Sequence, residues 1–146
     1  MKRFKIVLSF IFFSFIFLAP VHAVQWEDVL TNDATIWSID FDEMKRLATD
    51  YKTKPKTNYE FWVKMRSPSP ALLLDNKLNI VTSLIVYEIN IANKTYRIKE
   101  VVAYDKNLKI VMHKQLPSEK FMKVIPDSTF DFVYSTVLTW IKVSEE

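Results

Sequence analysis

The stretch from Thr82 to Gln115, TSLIVYEINIANKTYRIKEVVAYDKNLKIVMHKQ, decides the fold. It reads as three consecutive antiparallel strands joined by two tight turns. Ile85, Tyr87, Ile89 and Ile91 alternate with a set ending in Glu88 and Asn90. That period of two sets one face on a core and the other toward water. Ala92-Asn93-Lys94 and Asp105-Lys106-Asn107 supply the turns, using Asn and Asp because both tolerate left-handed backbone angles. A meander of this kind cannot bury its apolar face alone.

The cover for that face stands at the C-terminus. Phe130, Val133, Tyr134, Val137, Leu138 and Ile141 fall at spacings of three and four, one apolar stripe along a helix. Ser128 with Asp131 three residues on resembles a capping box, with Asp in place of the usual Glu. Lys142 sits at the end of the helix dipole that favours a cation.

Two further strands precede the meander. Asn58 to Arg66, NYEFWVKMR, alternates Tyr59, Phe61, Val63 and Met65 against Glu60, Trp62 and Lys64. Thr35 to Phe41, TIWSIDF, is a second run of strand character, and Val24 to Asn32 offers Trp26 and Val29-Leu30 as docking residues. In FDEMKRLATDYK, Asp40 or Asp42 could cap a short helix, or the segment is an irregular connection. Lys52 to Lys56 is a polar turn in which Pro55 argues against a central strand. Ser67-Pro68-Ser69-Pro70 stops the strand before it, and Leu72 to Leu74 lie in a loop that should fold back on the core. Phe121 to Ile125 reads as a short strand or a lead into the helix. The expected fold is α+β: an antiparallel sheet of about five or six strands with a C-terminal amphipathic helix on one face.

The first residues read as a targeting signal. Lys2, Arg3 and Lys5 precede an apolar run from Ile6 to Ala19, and Val21-His22-Ala23 offers small residues where a peptidase would cut. Fourteen residues fall short of the ~20 that span a bilayer. Residues 1–23 are thus expected to be a cleaved secretory signal and 24–146 a single domain, exported to the periplasm or secreted. Removal of three basic residues from the chain's 20 leaves 17 of each sign. A neutral domain lacks the basic footprint that nucleic acid requires. There is no Cys, so no disulfide and no lipid-modified N-terminus, and stability should rest on packing, with Trp26, Trp37, Trp62 and Trp140 as the largest side chains available. There is no Gly, which removes glycine-based phosphate loops.

No residue pattern points to catalysis or to a cofactor. His113 is the one histidine left after cleavage, and one His without Cys does not make a zinc or copper site of the usual kind. Asp40, Asp42 and Glu43 cluster, the raw material for a hydrolase or a hard-cation site, although Asp before a turn is ordinary turn chemistry. Lys52, Lys54 and Lys56, with Arg66, could form a basic patch for phosphate or sulfated sugar. Asn93-Lys94-Thr95 matches a glycosylation acceptor but reads better as a hairpin turn.

The order of these features resembles the surface-adhesin protein E family of small exported bacterial proteins. The resemblance runs from Trp26 through TIWSIDFDEMKR, NYEFWVKM and YEINIANKTYRIKEVVAYDKN to FMKVIPDSTFDFVYSTV. It implies a sheet packed on a C-terminal helix and adhesin-like, non-enzymatic binding of host extracellular proteins. Phe121 stands where the family has Trp, and the family's pairing of a central-strand Cys with one in the final helix has no counterpart. The lipid anchor of the namesake is missing too.

The leading expectation is an exported, non-enzymatic, adhesin-like binding module whose partner is an extracellular matrix or envelope protein. Its contacts would come from Lys52 to Lys56, from Ser67 to Asn79, or from a sheet edge. Ile85 to Ile91 as an edge would invite pairing into a homodimer. The alternative is a periplasmic accessory protein that binds a small apolar ligand between helix and sheet, near Trp62 or Trp140, or steadies an envelope complex.

Overall fold

The computed structural model describes residues 24–32, 35–47, 57–67, 79–116 and 119–145. The signal segment, the polar turn Lys52–Lys56 and the leucines Leu72–Leu74 lie outside the described residues. Among the described residues seven strands form one antiparallel sheet: β1 Trp26–Asn32, β2 Thr35–Leu47, β3 Asn58–Arg66, β4 Thr82–Asn90, β5 Thr95–Tyr104, β6 Ile110–Gln115 and β7 Met122–Lys123. They lie in the order β1-β2-β3-β4-β5-β6, and β7 pairs with β5. The helix α1, Thr129–Ser144, packs across one face. The fold is α+β.

The core forms where the alternating apolar residues of the sheet meet the helix stripe. Ile39, Phe61, Val63, Ile85, Tyr87, Ile89 and Val101 from the sheet close on Phe130, Val133, Tyr134, Val137 and Ile141 from α1. Phe61 is 0% exposed. Tyr87 lies 4.7 Å from Phe130 and 6.1 Å from Phe61 between ring centroids. Burial, and then the neighbouring Tyr96, holds the Tyr87 hydroxyl far above its ordinary pKa. No tryptophan belongs to the fully buried set. Trp37 and Trp140 pack on its margin, so smaller aromatics and branched aliphatics carry the interior.

The helix is pinned at both ends. Ser128 caps it by accepting from the Asp131 amide at 3.1 Å. The Asp131 carboxylate reaches back to the Asp127 amide at 3.1 Å, one residue beyond the N-cap amide that a full capping box would engage. Lys94, in the β4–β5 turn, lies 3.1 Å from Asp131 and ties that turn to the helix start. At the other end Glu145 accepts from the Tyr59 hydroxyl at 2.7 Å and from Arg46 at 3.1 Å.

Three expectations change. Residues 41–47 are strand, not helix: β2 continues to Leu47 through an irregularity between Asp40 and Lys45. Asp40 accepts from the Glu43 amide at 3.2 Å and so caps the bulge instead of a helix. The detour lets Phe41 stack on Trp140 at 5.3 Å. Second, β4 is central, flanked by β3 and β5, so Ile85 to Ile91 is no edge and lends nothing to a dimer. Val86 and Glu88, on its other face, are buried as well. Third, the left-handed angles at the two turns fall on Lys94 and Leu108, not on Asn or Asp.

Candidate functional site

The face of the sheet opposite α1 is the candidate site, and strand register builds it. Residues paired across strands point to the same side. Four rows therefore cross this face. Lys45, Glu60, Glu88 and Arg97 form the first, and Asp40, Trp62, Val86, Glu100 and Gln115 the second. Ser38, Lys64, Leu84, Val102 and His113 form the third, and Ile36, Arg66, Thr82, Tyr104 and Ile110 the fourth.

Glu60 and Glu88 stand directly opposite each other on β3 and β4, an arrangement that repels unless each carboxylate has its own cation. Each has one. Lys99 donates to Glu60. Arg97 donates to Glu88 through Nε at 2.8 Å and through the guanidinium terminus at 2.6 Å, and Asn58 donates to its other oxygen at 2.8 Å. Glu88 is 3% exposed, so this pair is largely desolvated and its geometry has to be good to offset that cost. Phe121 lies under the Arg97 guanidinium at 4.9 Å.

Beside this pair lies a concavity of about 310 Å³, lined by Lys45, Glu60, Trp62, Val86, Lys99, Glu100 and Gln115. The irregularity in the β4–β5 pairing makes room for it, since Val86 pairs with Glu100 and Tyr87 with Ile98, leaving Lys99 as the extra residue. Lys99 and Glu100 can then both address the same space. Trp62 supplies an aromatic face, Glu60 and Glu100 accept, and Lys45, Lys99 and Gln115 donate. A floor of this kind suits a polar ligand or polypeptide that stacks one flat group and hydrogen-bonds around it.

At the fourth row a second cavity of about 490 Å³ is lined by Ile36, Arg66, Ser67, Val81, Thr82 and Lys106. Between the two, Lys64 lies 4.5 Å from the Trp26 ring centroid. Burial first, and then the positive Arg66, lowers the Lys64 pKa, with Asp28 acting in the opposite sense. Asp28 is itself engaged, accepting from the Ser38 hydroxyl at 2.6 Å.

Of the residues singled out from sequence, Arg66 lies at the fourth-row cavity, at the far end of β3 from Asn58, and Lys52, Lys54 and Lys56 lie outside the described residues. Asp40 is buried, whereas Asp42 and Glu43 are exposed, and the described residues contain no group of three His, Cys, Asp or Glu side chains that could hold a metal. His113 lies on β6, where Glu100 engages it at 2.8 Å. Trp62 was legible as an outward residue of β3. Lys45, Lys99, Glu100 and Gln115 were not, because only the register of four strands gathers them. Among the described residues no helix is long and apolar enough to cross a membrane. Comparison with protein-family models, curated proteins and solved structures returned no match for this chain.

Proposed function

We propose that the chain is an exported, non-enzymatic binding module, adhesin-like in the manner of the surface-adhesin protein E family, and that the helix-free face of the sheet is its contact surface. The observation that carries this reading is the Trp62 concavity. A partly exposed tryptophan ringed by two carboxylates, two ammonium groups and an amide sits on a rigid sheet, the arrangement in which an aromatic anchor contributes most to a protein interface. The partner is an extracellular matrix or envelope protein. An apolar leader cleaved after Ala23 would deliver the module outside the cytoplasm.

The test is binding of the protein, recovered from the periplasm or medium of cells that express the full chain, to immobilised matrix proteins. Trp62→Ala should weaken binding at least about tenfold, and the exposed Lys45→Glu should weaken it while leaving the melting temperature unchanged. Binding by both variants at wild-type strength, or binding to no matrix protein, would overturn the reading.

A further inference from the structure

We infer that the fourth-row cavity is a second binding site, for a small amphipathic anion: an oxyanion head between Arg66 and Lys106 and a hydrocarbon body on Ile36 and Val81. Its volume of about 490 Å³ lies within the ordinary range for small-ligand sites. Ile36 and Val81, both partly exposed, make its apolar side. Thr82 adds a hydroxyl beside them.

Charge decides what kind of ligand suits this space. Arg66 and Lys106 are exposed, and no carboxylate among the described residues forms an ion pair with either. Lys64 in the adjoining row is already destabilised as a cation by burial and by Arg66. Asp28, which acts on Lys64 in the opposite sense, is held by Ser38, and Asp105, next to Lys106 in sequence, accepts from the Asn107 and Lys109 amides. Two cations thus flank an apolar hollow, and among the described residues no carboxylate forms an ion pair with either. A guanidinium offers a fork for two oxygens of a carboxylate or phosphate, and an ammonium adds a third donor. A simple inorganic anion would leave the apolar lining unused, and a neutral hydrocarbon would leave both cations unused. Only a molecule with both parts uses the whole cavity.

This site stands apart from the Trp62 concavity, so its ligand is independent of the macromolecular partner proposed above. The test is calorimetric titration of the exported protein with four probes: decanoate below its micellar concentration, monodecyl phosphate, decanol and inorganic phosphate. Decanoate and monodecyl phosphate should bind, and decanol at least about tenfold more weakly, the loss expected when a charged hydrogen bond is forgone. Inorganic phosphate alone should not bind measurably. The double variant Arg66→Gln with Lys106→Gln should reduce decanoate binding by a similar factor without lowering the melting temperature, and Lys45→Gln, in the other concavity, should leave it unchanged. Equal binding of decanol, equal binding of inorganic phosphate, or no binding of decanoate would each overturn the proposal.

Discussion

Leu108 adopts φ of 62° while its side chain is 78% exposed. A chain without glycine has to place its left-handed backbone on other residues, and among the described residues they are Asn79, Lys94, Leu108 and Asp127. For Leu the conformation costs about 1–2 kcal/mol, because Cβ crowds the following carbonyl. Lys94 offsets its own cost through Asp131, whereas Leu108 has little packing to offset its own. Leu108→Gly should therefore raise stability by about 0.5–1 kcal/mol once the extra entropy of an unfolded glycine is allowed for. The midpoint of urea denaturation should rise, and a fall would show that the exposed side chain contributes something unseen. The turn itself was legible in Asp105-Lys106-Asn107, since Asp105 accepts from the Asn107 and Lys109 amides at 2.8 and 2.9 Å. Those bonds, led by the one from Lys109, hold its carboxyl below its ordinary pKa. Which residue would take the left-handed angle was not legible, because composition marks a turn without fixing its register.

The start of α1 shows how a short element is held from outside. Its first turn carries Asp131, whose carboxyl is pulled below its ordinary pKa near 3.8, first by Lys94 and next by the Asp127 amide. A carboxyl depressed by folding contributes stability that is fully present above the unfolded value and is lost as pH falls through the lower folded one. Thermal stability should accordingly decline below about pH 4, and Asp131→Asn should flatten that acid limb while lowering stability at neutral pH. An acid limb of unchanged slope in Asp131→Asn would place the titration elsewhere. The helix was legible end to end, because its apolar stripe and its cap are local signals. The second half of β2 was not. The irregularity after Asp40 interrupts the alternation, so 41–47 lost the period by which a strand is read, although its pairing resumes at Lys45, Arg46 and Leu47.

At the scale of the whole molecule the helix divides the sheet into two faces of different character. Phe61 faces α1 and is enclosed, so Phe61→Ala should cost about 3–5 kcal/mol. Phe132, on the outer side of the helix and 49% exposed, should tolerate Ala within about 0.5 kcal/mol. Chemical denaturation of both variants checks the contrast, and comparable losses would mean that the outer side of the helix is covered in solution. The architecture was legible from periodicity. The central position of β4 was not, because strand order depends on the pairing of segments far apart in sequence. For the same reason the candidate site was not legible: Trp62 read as an outward residue of β3 and as a flank of a helix–sheet pocket, and Arg66 as part of a patch with Lys52, Lys54 and Lys56, while Lys45, Lys99, Glu100 and Gln115 reach Trp62 from β2, β5 and β6.

Every ladder in the main strand order except one is interrupted. Irregularities fall between β1 and β2, β2 and β3, β4 and β5, and β5 and β6, whereas β3 and β4 run through nine consecutive pairs from Asn58↔Asn90 to Arg66↔Thr82. Local opening begins where backbone bonds are fewest and most exposed to solvent. The molecule should therefore fray from its two outer strands inward, and the amide protons of β3 and β4 should be the last to exchange with deuterium. Trp62, Val86, Arg66 and Thr82 all stand on that seam, so both hollows would keep their floors through excursions that undo the margins of the sheet.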